Sequence, residues 1–117
     1  MKCPLLSIGM ALVLVFAARN AAAQASAPDG QALYRENCRS CHGTAGVPPQ
    51  RMTTLYKNLR AFDSTFFAHR SEDSVVAVLQ HGAGRDMKSY KDKLTPEQIR
   101  AVAKYVQTLA RPAPKGS

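Results

Sequence analysis

The chain has 117 residues, 16 Lys plus Arg against 8 Asp plus Glu, a formal charge of +8 and only three cysteines. That length holds one small domain, which buries a limited share of its surface and gains from a cofactor or staple. Three cysteines exclude a disulfide-dense scaffold, and positive charge alone does not choose among nucleic acid, anionic lipid and an acidic protein.

The chain opens with a leader pattern. Lys2 precedes an apolar run from Leu5 to Ala18, and Ala23-Gln24-Ala25 gives a small-residue exit before Ser26, as in a secretory signal peptide over 1–25. A membrane span needs about 20 apolar residues; this run has 14 and stops at Arg19-Asn20. It is therefore expected to be cleaved, taking Cys3 with it and leaving no membrane span. The remaining 92 residues lose Lys2 and Arg19, so the charge falls from +8 to +6. They are expected to form one domain over 26–111 and a disordered tail over 112–117. Nucleic acid is not expected as a partner, because an exported domain with no binding motif gives it no foothold.

Four helices follow in order. Gly30–Asn37 begins after Asp29, a good N-cap. Around Arg51–Leu59, Met52, Leu55, Tyr56 and Leu59 recur at i, i+3, i+4 and i+7, the spacing of one buried face. Glu72–His81 starts after Ser71, carries Glu72 and Asp73 in its first turn and ends at Gly82. Its Val75–Leu79 run is equally strand-like by propensity, and the caps tip it towards helix. The last helix begins at Thr95-Pro96-Glu97-Gln98, a capping box with proline at N1. Ile99, Val102, Ala103, Val106 and Leu109 form its apolar stripe until Pro112 stops it. Loops fill Gly43–Gln50, Ala61–Arg70 and Gly82–Leu94, and no alternating strand pattern is present. The expected fold class is all-α: a small domain with long loops wrapped around something.

What they wrap is indicated by Glu36-Asn37-Cys38-Arg39-Ser40-Cys41-His42-Gly43. On a helical turn Cys38 and Cys41 share a face, with His42 one turn beyond Cys38. Zinc would need about four ligands, and here it lacks a second Cys pair or a spaced His pair. A thioredoxin-type dithiol sits at a helix start after a strand, whereas this cluster follows a helix. A disulfide between them would close too small a loop to stabilise much. C-x-x-C-H is the attachment pattern of c-type haem, with two thioethers to the macrocycle and an imidazole for the iron.

The chain resembles the class I c-type cytochromes, small exported monohaem proteins, from about Asp29 to Leu109. The resemblance rests on DGQALYRENCRSCHG, on a methionine in the loop after a Gly-ended helix, and on LTPEQIRAVAKYVQTL. It implies a cytochrome c-like fold in which the first and last helices cross closely, with Gly30, Tyr34 and Tyr105 at the crossing. It implies one covalent haem c held by Cys38 and Cys41, with His42 as proximal and Met87 as distal iron ligand. Met52, on an apolar helix face, reads as core filler; His69 and His81 read as surface or helix-end residues, His81 suiting a helix C-terminus. The family often has proline after the axial methionine, and Lys88 stands here. Pro48 or Pro49 is expected to offer a carbonyl to the His42 N–H, and Tyr90 to pack on the haem or within its loop.

With both axial positions filled by protein, the expected function is a one-electron carrier between redox partners, not an enzyme. Arg85, Lys88, Lys91 and Lys93 outnumber Asp86 and Asp92, a local +2, and are expected to dock an acidic partner; a merely solvated loop is the plain alternative. The competing function is a gas-binding or peroxide-reducing haem protein whose methionine is labile or absent from the iron. The leader implies export, and the resemblance implies a location in a bacterial periplasm.

Overall fold

The computed structural model describes residues 26–110; the leader expected over 1–25 and the tail expected over 112–117 lie outside them. Six helices follow one another: α1 Gly30–Asn37, α2 Arg39–His42, α3 Gln50–Leu55, α4 Ser64–Phe67, α5 Glu72–His81 and α6 Pro96–Thr108. No strand occurs among the described residues, apart from an isolated bridge between Ala83 and Met87. None of these helices is long and apolar enough to cross a membrane.

The long helices form where their caps dictate. Asp29 Oδ1 accepts from the N–H groups of Gln31 and Ala32 at 2.9 and 3.1 Å, satisfying donors that α1 would otherwise leave unpaired. Ser71 Oγ accepts from Ser74 N at 3.2 Å at the start of α5. The Thr95–Gln98 box is closed in both directions, at 2.9 and 3.2 Å. The Val75–Leu79 run is thus helical, as its caps require.

α6 packs against both α1 and α5. Its Ile99, Val102, Ala103 and Val106 are buried, joined by Tyr34, Cys38, Val76, Leu79 and Leu94. The α1–α6 crossing is close because Gly30 has no side chain: a Cβ there would lie 2.2 Å from the Ala101 carbonyl oxygen. Beside it the Tyr34 and Tyr105 rings pack 5.4 Å apart, tilted by 56°. The expected crossing residues are all in place.

Two expectations need correction. The helix read over Arg51–Leu59 ends at Leu55, which is 68% exposed, and Tyr56 is extended. The reason is that Tyr56 and Leu59 line a cavity, which the chain reaches only by leaving helical geometry. The loop read over Ala61–Arg70 contains α4, capped by Asp63 Oδ1 accepting from Phe66 N at 2.8 Å.

Candidate functional site

The core helices form one side of a cavity of about 840 Å³ with largely apolar walls. Cys38, Cys41, His42 and Met87 all line it. Met52, His69 and His81 do not, and both histidines are exposed.

The cysteine cluster is held by local backbone bonding. Cys38 caps the end of α1 and starts α2. Its carbonyl accepts from Cys41 N at 3.2 Å and His42 N at 3.0 Å, so one tight turn puts both sulfurs and the imidazole on the same wall. Tyr34 ties that turn down from α1: its buried hydroxyl donates to Gly43 O at 2.7 Å. Both cysteines are free, Cys38 buried and Cys41 half-buried. Burial pushes the Cys38 thiol up to about 11, reinforced by Cys41 and opposed by Lys93. Burial lowers the His42 pKa, which keeps the imidazole neutral and its lone pair available to a metal.

Met87 reaches the cavity on the α5–α6 loop. Ala83 and Met87 exchange backbone bonds at 2.8 and 3.3 Å, and Tyr90 N donates to Leu79 O at 2.7 Å. The Tyr90 hydroxyl donates to Asn37 O at 3.0 Å, joining the loop to the end of α1. Tyr90 therefore both lines the cavity and anchors its own loop.

The His42 ring departs from expectation. Neither Pro48 nor Pro49 offers it a carbonyl: Nδ1 is buried with no hydrogen-bond partner among the described residues. The ring instead stacks on Phe62, with centroids 4.8 Å apart and planes 19° from parallel. Phe62, Phe66 and Phe67, all lining the cavity, were absent from the sequence-based site. The signal for them was Asp63, an N-cap set between aromatic residues.

The mouth is basic. Arg60, Arg70, Arg85 and Lys88 line it, and Asp86 is the only acid among the described lining. Lys91 and Lys93, exposed on the same loop, are not part of the lining.

These residues fit a covalently attached haem. Two thiols and an imidazole share one wall, a thioether lies on the cavity as well, and apolar walls leave room for a macrocycle. No cluster of three or more His, Cys, Asp or Glu suited to a bare metal ion occurs among the described residues.

Comparison with known proteins gives the family. The family described as cytochrome c oxidase, cbb3-type, subunit III matches residues 25–106. The chain is 30% identical over 102 residues to cytochrome c6 of Nostoc sp., covering 87% of this chain and 86% of that one. It is 30% identical over 83 residues to the cbb3-type cytochrome c oxidase subunit FixP of Bradyrhizobium diazoefficiens, covering 71% of this chain but 27% of FixP. Among solved structures, the c-type cytochrome KustC0563 aligns with a TM-score of 0.65 at 31% identity, over 71% of this chain and 99% of that one.

Proposed function

The chain belongs to the c-type cytochromes, within the family of the cbb3-type oxidase subunit III, and on that premise we propose that Cys38 and Cys41 carry the thioether links to its covalent haem c while His42 and Met87 ligate the iron. Bound haem c supplies a one-electron Fe(III)/Fe(II) couple. The protein is an electron carrier of the c-type kind, and its residues decide how that couple is used.

The observation that carries this ligand set is the meeting of Met87 with Cys38, Cys41 and His42 around one cavity that excludes Met52, His69 and His81. A thioether opposite an imidazole suits both oxidation states and closes the iron to small ligands. Lys88 stands where the family often has proline, and the Ala83–Met87 backbone pair and both Tyr90 bonds support a braced loop at Met87.

Partner choice follows from the rim. Arg60, Arg70, Arg85 and Lys88 around the mouth favour an acidic face on the donor or acceptor, with Lys91 and Lys93 extending the field. Such steering weakens as salt screens it. The cleaved leader and periplasmic location belong to the same reading.

The test is spectroscopic. Matured holoprotein is expected to show the weak far-red sulfur-to-iron band when oxidised and no carbon monoxide shift when reduced. Met87→Ala removes the band and admits carbon monoxide. Rapid carbon monoxide binding by the unaltered protein would overturn the carrier reading in favour of gas binding or peroxide reduction.

A further inference from the structure

We propose that the outer face of the cysteine turn is a second docking surface, separate from the cavity mouth, for a protein that presents a projecting apolar side chain ringed by carboxylates. Its residues lie outside the main cavity, so it stands independently of which side chain fills the distal iron position.

The cysteine turn has two faces. Cys38, Cys41 and His42 line the main cavity, while Arg39, Ser40 and Gly43, from the same turn, line a second hollow of about 520 Å³. Arg35 from α1 and Arg51 from α3 join Arg39 there, and Glu36 is the only acid in the described lining. All three arginines are exposed. Among the described residues the ion pairs are those of Arg100 with Glu72 and Asp73, so none of the three is neutralised by a described carboxylate. Guanidinium forks brought to one hollow by three helices are suited to carboxylates, which they bind through paired N–H groups.

The same face carries apolar surface without a partner. Val47, 53% exposed, lines the hollow. Leu55, 68% exposed, stands on α3 one helical turn after Arg51 and shares its face. Neither lines the main cavity, whereas the exposed Val78 does. A single exposed aliphatic residue is ordinary, but aliphatic contact set among arginines has the make-up of a protein interface. The wall is also preformed. Tyr34 donates to Gly43 O at 2.7 Å, and Gly43 sits at φ +78°, where a Cβ would overlap the Val47 carbonyl. Little ordering is then needed on binding.

Charge and shape choose the occupant. A second copy of this chain has 16 Lys plus Arg against 8 Asp plus Glu, and its basic faces would repel these arginines. A flat anionic membrane meets a convex patch better than a hollow. An acidic protein with a projecting side chain suits both features. Binding here leaves Arg60, Arg70, Arg85 and Lys88 at the mouth uncovered, so one partner can hold the protein while another reaches the mouth.

The test is amide nuclear magnetic resonance of the reduced, matured holoprotein at constant ionic strength, with an acetylated Glu-Asp-Leu-Asp-Glu peptide as probe. Saturable shifts are expected at Arg39, Ser40, Val47, Arg51 and Leu55. Glycine in place of the peptide's leucine should weaken binding about tenfold. Arg39→Glu with Arg51→Glu should weaken it about tenfold or more, and Arg85→Glu with Lys88→Glu should leave these shifts unchanged. Val47→Ser, which alters no charge, should lower the affinity severalfold and so tests the face without the double reversal. Shifts confined to the mouth, equal shifts from the glycine peptide or from inorganic phosphate, or shifts that survive both Val47→Ser and the arginine reversals would overturn the proposal. So would an absence of peptide shifts alongside co-sedimentation with phosphatidylglycerol–phosphatidylcholine vesicles that Arg39→Glu with Arg51→Glu abolishes, which would assign the face to a membrane.

Discussion

Gly30→Ala tests the helix crossing on which the fold turns. The added methyl carbon would lie 2.2 Å from the Ala101 carbonyl oxygen, 2.7 Å from its carbon and 3.1 Å from Tyr105 Cβ. The first two are backbone atoms inside α6 and cannot rotate away, so α1 and α6 must part by roughly 1 Å to restore contact distances. Overpacking of this kind costs about 1–3 kcal/mol, and parting the helices also loosens the buried Tyr34–Tyr105 contact. Alanine returns at most about 1 kcal/mol in helix propensity. The net is a loss of about 2 kcal/mol, which for a domain this size lowers the melting temperature by about 8–16 °C. The assay is thermal unfolding of oxidised holoprotein followed by far-UV circular dichroism and haem absorbance, with haem content matched between variant and parent. A melting temperature equal to or above the parent's would show that the helices do not meet at Gly30, and the packing argument would fall with it.

Other perturbations reach the remaining parts of the structure. Tyr34→Phe removes the buried 2.7 Å bond to Gly43 O and is expected to cost about 1–2 kcal/mol by urea titration. Burial raises the Tyr34 pKa, so the folded state resists ionising it. Its contribution is complete below about pH 10, the free tyrosine value, and is lost as pH rises above that; alkaline titration of Tyr34→Phe should show a shallower fall. On the proposed attachment, Cys38→Ser with Cys41→Ser should remove the thioether links and leave the cavity of about 840 Å³ unfilled. Tyr56, Leu59, Phe62, Phe66 and Phe67 then lose the partner they face, and a domain this small has little other core to draw on, so circular dichroism should find the double variant with a sharply lower melting temperature or no cooperative unfolding. Arg85→Glu with Lys88→Glu should slow electron transfer to an acidic partner at low salt and leave the rate at high salt nearly unchanged, measured by stopped flow.

What the sequence made legible and what it hid divide along the cavity wall. α1, α5 and α6 were readable because Asp29, Ser71 and Thr95 cap them and their apolar stripes pack on one another, so local rules and tertiary contacts agree. Met87 stood out for the same kind of reason, as a methionine in a glycine-bearing loop with no helical face to fill. The segment from Gln50 to Arg70 resisted the same rules. Met52, Leu55, Tyr56 and Leu59 have helical spacing, yet Leu55 is exposed while Tyr56 and Leu59 turn to the cavity. Phe62, Phe66 and Phe67 follow no period at all, because their target is the cavity and one another.

Periodicity reports burial against protein. A segment that buries its side chains against a flat macrocycle needs only to place them at one surface, and irregular chain does this as well as helix. The described residues bury nine hydrophobic side chains, Tyr34, Cys38, Val76, Leu79, Leu94, Ile99, Val102, Ala103 and Val106. All come from α1, its C-cap, α5, α6 and the loop leading into α6. α3 and α4 contribute none; Tyr56, Leu59, Phe62 and the Phe66 and Phe67 of α4 face the cavity instead, so on the proposed reading the haem is the core of that segment. Its loops have a defined conformation for the same reason that α6 has one: they have something to pack on.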